Sequence, residues 1–253
     1  MSGRFVTGRR GGALAALALG ALASLAAAVP PPEEPGRLSQ VYDLYAGGIP
    51  IGEAVLEAEI GADGYRAGGT LRTAALVRAF FDAGMTVAAE GAIEGDAMRP
   101  DWFTVTTVNG DEVETRRIDY AAGAVEAVRT EPPENPRPWS LEPAGQGAVA
   151  DPVTAALGTL APRRSGFCGH RVEMFDGKRR FALKIGPAEP DGDRLRCPAR
   201  YVRLGGYKPK FMAPDRRTMP FTLWFEPRAD GRHRLVRALI PAGWIDLSLV
   251  RRD

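Results

Sequence analysis

The sequence predicts an all-β protein: an antiparallel meander of about a dozen strands that curls into a half-barrel or barrel, with one or two short helices. Three observations support this prediction: segments in which apolar and polar residues alternate, turn dipeptides between those segments, and few helical patterns. A flat open sheet seldom holds so many strands without curling or splitting. We therefore expect a strongly curved sheet.

The strand signal is clearest in residues 51–60. Three glutamates lie on one face of this segment, and the other face carries Gly52, Ala54, Leu56, Ala58 and Ile60. The same period of two recurs in residues 180–185, 221–226 and 245–249. Each of these segments is interpreted as a half-buried strand.

Turn dipeptides separate the strand segments. Asn, Asp and Gly adopt the positive φ angles of tight hairpins at low cost. The turn at Asn109 joins 101–108 to 112–120, and the turn at Asp176 joins 171–175 to 179–185. The predicted turns are Asp63-Gly64, Asn109-Gly110, Asp176-Gly177, Asp191-Gly192 and Asp230-Gly231.

Two short helices are predicted. Residues 73–82 carry apolar side chains at helical spacing, and residues 151–160 begin with Asp151 as N-cap and Pro152 in the first turn. Residues 131–143 hold five prolines and are interpreted as a surface loop, with Trp139 as a contact to the sheet.

The N-terminus resembles a cleaved leader. Basic residues Arg4, Arg9 and Arg10 precede an apolar run at 11–25, and cleavage is expected near Ala28. This predicts a signal peptide at 1–28, a Pro-rich tether at 29–38, and a single β domain at 39–253 in the periplasm. The alternative is an uncleaved anchor, which the short Ala-rich run disfavours. No other apolar stretch is long enough to span a membrane.

Removal of the leader changes the charge. It takes away three of the 33 basic residues and none of the 31 acids, so the mature chain is near −1. The apparent basicity therefore gives no reason to expect nucleic acid as a partner.

Both cysteines, Cys168 and Cys197, lie in the expected mature chain and would meet an oxidising compartment, which predicts a disulfide. In a meander, Cys168 would have to fold across the end of the strand at 179–185 to reach Cys197. The alternative is a zinc site made of both cysteines with His170 and His233, but the spacing matches no common zinc motif.

No motif for a nucleophile, a phosphate-binding loop or a metalloprotease site is present. With only two histidines, and with carboxylates mostly at turns and exposed faces, no catalytic residue, cofactor or metal ligand is predicted. A catalytic His170 is the alternative.

Two features suggest binding. The small residues around Ala54, Leu56 and Ala58 would leave room for an apolar groove, or would pack against the helix predicted at 73–82. The stretch 194–217 contains Asp215 as its only acid, interleaves Tyr201, Tyr207 and Phe211, and could hold lipid phosphates or an acidic protein. The simpler explanation of this basic stretch is that its cations lie on solvated strand faces and in a basic loop. The predicted binding cations are Arg196, Arg200, Arg203, Lys208 and Lys210.

Several segments resemble the proteobacterial envelope proteins of the DUF3108 family. They are residues 42–48 with Gly52-Glu53-Ala54, residues 151–155, Cys168-Gly169 and residues 175–180, and the similarity extends over about 41–250. The resemblance implies a periplasmic β-rich protein without an assigned activity, and it supplies no catalytic residues.

The leading hypothesis is a non-enzymatic periplasmic protein that binds a lipid-like or amphipathic envelope component, or a partner protein. The first alternative is an envelope-maintenance scaffold that acts through 194–217. A hydrolase of glycan or lipid ranks last.

Overall fold

The computed structural model describes residues 29–74 and 83–252. The leader expected at 1–28 lies outside the described residues, as does nearly all of the helix expected at 73–82; Thr73 ends a strand. The described strands are β1 (Gly36–Ala46), β2 (Ile49–Ile60), β3 (Gly64–Thr73), β4 (Ala83–Glu94), β5 (Ala97–Asn109), β6 (Glu112–Ala121), β7 (Ala124–Glu131), β8 (Arg171–Phe175), β9 (Arg180–Ile185), β10 (Glu189–Asp191), β11 (Arg194–Gly205), β12 (Thr218–Pro227), β13 (His233–Ala242) and β14 (Ile245–Arg251). The described helices are α1 (Pro152–Leu160) and α2 (Pro209–Met212), with a 3-10 turn at Pro143–Gly145.

All of these strands belong to one 14-stranded antiparallel sheet, which confirms the predicted fold class. The chain runs as two meanders, and the first strand, β1, pairs with the last, β14. The order is β7-β6-β5-β4-β3-β2-β1-β14-β13-β12-β11-β9-β8, with β10 attached to β11. The first and last strands therefore meet in the middle of the sheet, and its edges are β7 and β8.

The edge strands approach each other, although within the described residues no ladder joins them. Ala148 pairs with Ala124 of β7, and Ala150 pairs with Met174 of β8. Since three extended residues span only about 10 Å, the gap between the edges is narrow. The sheet is thus barrel-like, with one open seam.

The predicted hairpin turns are present. Gly110, Gly177, Gly192 and Gly231 adopt positive φ, as tight turns require, whereas Gly64 begins β3 without it. The predicted helix at 151–160 is also confirmed as α1. Within the described residues, no helix combines the length and the apolar character of a membrane-spanning helix.

Helix α1 lies inside the curl of the sheet. It contacts β3, β4, β5 and β8, which come from both meanders. Around it, the larger of two hydrophobic clusters includes Phe103, Ile118, Leu157 and Phe175, each at most 1% exposed. A smaller cluster around Phe225 fills the space under β11–β13. The interior is therefore packed with side chains.

The turns form two rims. The first, called here the α2 rim, carries the β1–β2, β5–β6, β8–β9 and β13–β14 turns together with α2. The second, called the disulfide rim, carries the β2–β3, β4–β5 and β12–β13 turns and the Cys168–Cys197 bond.

Residues 29–35, expected as a tether, lie against the domain at the disulfide rim. Val29 is 5% exposed, and its carbonyl accepts the Met98 N–H at 2.8 Å. The buried Arg163 guanidinium donates to the carbonyls of Pro30 and Pro31 at 2.8 and 2.5 Å. The last residues of the predicted tether already belong to β1, which begins at Gly36.

Candidate functional site

Strand β11 divides the basic stretch between two faces of the sheet. Cys197 and Ala199 are buried, so their alternation places Tyr201 and Arg203 on the inner face, while Arg200 is exposed on the outer face. The Tyr201 ring stacks on Phe181 of β9 with a centroid distance of 5.0 Å. The predicted basic stretch is therefore divided: Arg203 faces the interior at the α2 rim, whereas Arg200 faces outward.

Three aromatic rings surround the guanidinium of Arg203. Its central carbon lies 5.8 Å from the ring centre of Tyr201, 5.5 Å from that of Tyr207 and 5.6 Å from that of Phe211. Arg179, from the start of the β9 hairpin, lies 5.6 Å from the Tyr207 ring. These are cation–π distances, so rings and cations stabilise one another's positions.

A cavity of about 450 Å³ opens beside these rings; it is called here the aromatic–basic cleft. Three cations and no carboxylate line it. Its side-chain lining consists of Trp139, Arg179, Tyr201, Arg203, Tyr207, Lys208, Phe211 and Met219. A second cavity of about 550 Å³ shares Trp139, Arg179 and Lys208 with the cleft and continues under the Pro-rich loop.

The cleft carries a net positive charge. Among the described residues, Arg179, Arg203 and Lys208 form no ion pair with a carboxylate, whereas the neighbouring Lys178 is neutralised by Glu114 at 2.7 Å and Glu134 at 2.6 Å. Cations without a carboxylate partner give the cleft a positive electrostatic potential, which favours anions over cations.

The two tyrosines of the cleft are hydrogen-bonded to each other through their hydroxyls. Burial raises the pKa of Tyr207 above its usual range, and it raises the pKa of Tyr201 in the same direction. Both side chains therefore stay neutral at physiological pH; one phenol proton is used in their mutual hydrogen bond, and the other can be donated to a ligand. The cleft thus offers guanidinium, ammonium and phenol donors next to aromatic faces.

The structure separates the five predicted binding cations. Arg203 and Lys208 line the cleft, and Lys210 lies at its edge, 5.1 Å from the Phe211 ring centre. Arg196 lies toward the disulfide rim, where it pairs with Glu189 at 2.5 Å. Arg200 lies outside the sheet.

Sequence reasoning missed Arg179 and Met219 as cleft residues. The available signal was the pairing of β9 with β11, because this pairing brings the turn at Asp176 beside the C-terminal end of β11. Trp139, predicted only as a contact from the Pro-rich loop, lines both cavities.

The predicted apolar groove residues lie in the packed interior. Leu56 and Ala58 are 7% and 5% exposed, and Ala54 packs against the smaller cluster. Packing is therefore their observed role, and ligand binding at this face stays a prediction.

The two cysteines are paired, with their Cα atoms 5.9 Å apart. The Gly169 N–H donates to the Gly186 carbonyl at 2.7 Å, so the chain crosses the end of β9 as the sequence predicts. A disulfide leaves no thiolate for metal binding, so the zinc alternative is wrong. Burial lowers the pKa of His170, which favours its neutral form, and His233 stacks on Phe167 at 4.7 Å.

The fold and the cleft define a barrel-like β protein with a cationic, aromatic cleft at one rim. The chain belongs to the DUF3108 family of proteins of unknown function, whose family model matches residues 41–238. No curated protein matches the chain.

Two solved structures are similar to this chain. The beta-barrel-like protein of the DUF1849 family from Brucella abortus is 12% identical, covers 88% of this chain and 98% of its own, and has a TM-score of 0.52. A candidate lipoprotein from Parabacteroides distasonis is 8% identical, covers 88% of this chain and 96% of its own, and has a TM-score of 0.28. The first of these similarities supports the barrel-like fold.

Proposed function

We propose that this protein is a non-enzymatic binding protein of the bacterial periplasm, and that its aromatic–basic cleft holds the anionic head of an amphipathic envelope component. The observation that carries the proposal is the lining of the cleft: three cations, four aromatic rings and no carboxylate. Guanidinium and ammonium groups bind phosphate or carboxylate, and the rings cover the adjoining apolar part of the ligand.

The packing of the barrel determines how much of the ligand is bound. Helix α1 and two hydrophobic clusters occupy the interior. An acyl chain has no room beside the fully buried Phe103 and Phe175. We therefore place the ligand at the α2 rim, with its head in the cleft and its apolar part along Trp139 and Phe211.

The proposed location rests on two properties of the chain. The N-terminus resembles an export leader, and Cys168 pairs with Cys197, which is typical of proteins that fold in an oxidising compartment. Both properties support an envelope or secreted protein.

The test uses dodecyl phosphate below its critical micelle concentration, with calorimetry as the measurement and dodecyl maltoside as the uncharged comparison. Arg203→Gln removes a cleft cation and should weaken dodecyl phosphate binding at least tenfold, because a charge-assisted hydrogen bond contributes about 1.5–3 kcal/mol. Arg200→Gln is the matched control, since this arginine lies on the outer face of the same strand. Equal binding of the maltoside, or an equal effect of Arg200→Gln, would contradict the proposal.

A second candidate is an envelope-maintenance scaffold that binds an acidic protein partner. Its support is that Arg200, Lys208 and Lys210 are exposed. Charge reversal at Arg200, Arg203 and Lys208 should then abolish crosslinking to the partner in cells. If Arg200→Glu alone weakens capture while dodecyl phosphate binding is unchanged, the scaffold explains the basic stretch better than the ligand site does.

A further inference from the structure

The exposed apolar side chains are concentrated at one rim of the barrel. Five large hydrophobic residues of the described chain are exposed, and only Val250, at 37%, lies on a strand face away from the α2 rim. The other four are Ile49 at 59%, Val113 at 53%, Met219 at 36% and Trp244 at 93%. An exposed tryptophan next to other apolar residues marks a contact surface, because water solvates such a patch poorly.

Ile49 and Trp244 lie on neighbouring hairpin tips. Strands β1 and β14 are paired, and the Gly47 N–H donates to the Asp246 carbonyl at 2.9 Å, which links the β1–β2 turn to the β13–β14 turn. Positive φ angles at Gly47, Gly48 and Gly243 make both turns tight. Short tips of this kind hold their apolar side chains at fixed positions beyond the sheet.

Cations adjoin these tips. The connection between β11 and β12 runs along the same rim, and it exposes Lys208, Lys210, Arg216 and Arg217 with Asp215 as its only acid. Met219, just after this connection, contacts the Arg203 guanidinium through its sulfur at 3.1 Å. The tips, the cations and the mouth of the aromatic–basic cleft therefore face the same side of the molecule.

We propose that this side of the α2 rim docks on the surface of an anionic phospholipid bilayer. Trp244 and Ile49 would enter the interfacial layer, while Lys208, Lys210, Arg216 and Arg217 would face the lipid phosphates. Tryptophan is enriched at the depth of the headgroups, and each surface cation strengthens attraction to an anionic leaflet about fivefold. Docking goes beyond the proposed cleft function, since it rests on Trp244 and Ile49, which do not line the cleft.

The test is flotation of the exported protein with two kinds of vesicle: phosphatidylethanolamine with about 30% phosphatidylglycerol, or phosphatidylcholine alone. We expect binding to the anionic vesicles only, weakened by salt as screening predicts. The Ile49→Ser, Trp244→Ser double variant and the Lys210→Glu, Arg216→Glu double variant should each lower the partition coefficient at least tenfold. Val250→Ser is the matched control because it removes an exposed apolar side chain away from the rim, and it should change nothing.

Two results would overturn docking. The first is absence of wild-type binding to the anionic vesicles at low salt. The second is an effect of the Ile49→Ser, Trp244→Ser double variant no larger than that of Val250→Ser. If Trp244→Ser instead converts a dimer to a monomer in sedimentation, without an effect on flotation, the tips are a contact between copies of the chain. Thermal unfolding verifies that the variants fold.

The two proposals fail in different ways. If only the cleft proposal is wrong, Arg203→Gln leaves dodecyl phosphate binding unchanged while the Ile49→Ser, Trp244→Ser double variant still lowers the partition coefficient at least tenfold. If only docking is wrong, dodecyl phosphate still binds in the cleft and flotation does not depend on Trp244.

Discussion

The hydroxyl of Tyr65 on β3 is hydrogen-bonded to the hydroxyl of Thr154 in the first turn of α1, with an oxygen–oxygen distance of 2.6 Å. Thr154 in turn donates to Asp151 Oδ2 at 2.5 Å, while Asp151 Oδ1 accepts the N–H groups of Val153 and Thr154 at 2.8 and 2.9 Å. The N-cap of the internal helix is thus connected to the sheet through two hydroxyls, all of it buried.

The first prediction concerns this cap. Asp151→Ala leaves two buried N–H groups and the Thr154 hydroxyl without their acceptor, so we expect a loss of about 2 kcal/mol or more in the free energy of unfolding. Tyr65→Phe removes one hydrogen bond and should cost about 1 kcal/mol. Urea denaturation measures both changes. Asp151→Asn, which keeps an acceptor oxygen, is the control and should lose less unfolding free energy than Asp151→Ala. Equal losses would show that the N-cap hydrogen bonds of Asp151 do not cause the destabilisation.

The second prediction is a pH dependence caused by the same carboxyl group. Burial raises the pKa of Asp151 from 3.8 to about 6, despite opposing hydrogen bonds from Thr154 and the backbone. Because the folded-state pKa is raised, the proton on Asp151 contributes stability that is fully present below about pH 4 and is lost as pH rises through 6.

The measurement is the difference in unfolding free energy between the wild type and Asp151→Asn at several pH values. This difference should shift against the wild type by about 2–3 kcal/mol between pH 4 and pH 7. Other titrating groups are common to both proteins and cancel. A difference that does not change with pH would mean that Asp151 titrates normally in the folded state.

Much of the fold follows from local patterns. Helix α1 was predictable because Asp151 and Pro152 are typical first-turn residues, and most hairpins were predictable because their turns need Asn, Asp or Gly. The crossing of Cys168 over the end of β9 also followed, since strand spacing and disulfide geometry leave few arrangements.

The remainder depends on contacts between distant residues. The pairing of β1 with β14 joins segments about 200 residues apart, and no local pattern specifies it. For the same reason, the partnership of Tyr65 with Thr154 was not predictable. The basic stretch was recognised as a whole. However, Arg203 in the cleft differs from Arg200 outside it only because successive side chains of β11 point to opposite faces of the sheet. Arg179 joins the cleft through the β9–β11 register.

The third prediction concerns the disulfide. Cys168 and Cys197 are 29 residues apart in the sequence, and a loop of this size stabilises a fold by about 3–4 kcal/mol in the chain-entropy model. Reduction should therefore lower the urea midpoint by about 1–2 M. The Cys168→Ala, Cys197→Ala double variant should have the lower midpoint with and without reductant. An unchanged wild-type midpoint after reduction verified by mass spectrometry would contradict this role.

The fourth prediction tests the contact of residues 29–35 with the domain. A Cβ atom added at Gly158 of α1 would lie 2.3 Å from Val29 Cγ1 and 3.1 Å from the Pro30 carbonyl oxygen. Alanine normally stabilises a helix relative to glycine by up to about 1 kcal/mol. Here the overlap with Val29 should reverse the sign, so we expect Gly158→Ala to destabilise by about 1–3 kcal/mol and to increase protease cleavage within 29–35.

Two comparison variants identify the cause of the Gly158→Ala effect. Val29→Ala removes the methyl groups that the new Cβ would meet, so the double variant should regain part of the stability lost by Gly158→Ala, with a coupling of about 1 kcal/mol. Gly145→Ala, where nothing lies within 4 Å of the added Cβ, should leave both stability and cleavage nearly unchanged. If Gly158→Ala stabilises the protein as helix propensity alone predicts, residues 29–35 are not held against α1 in solution, and Arg163 must be bonded to something other than Pro30 and Pro31.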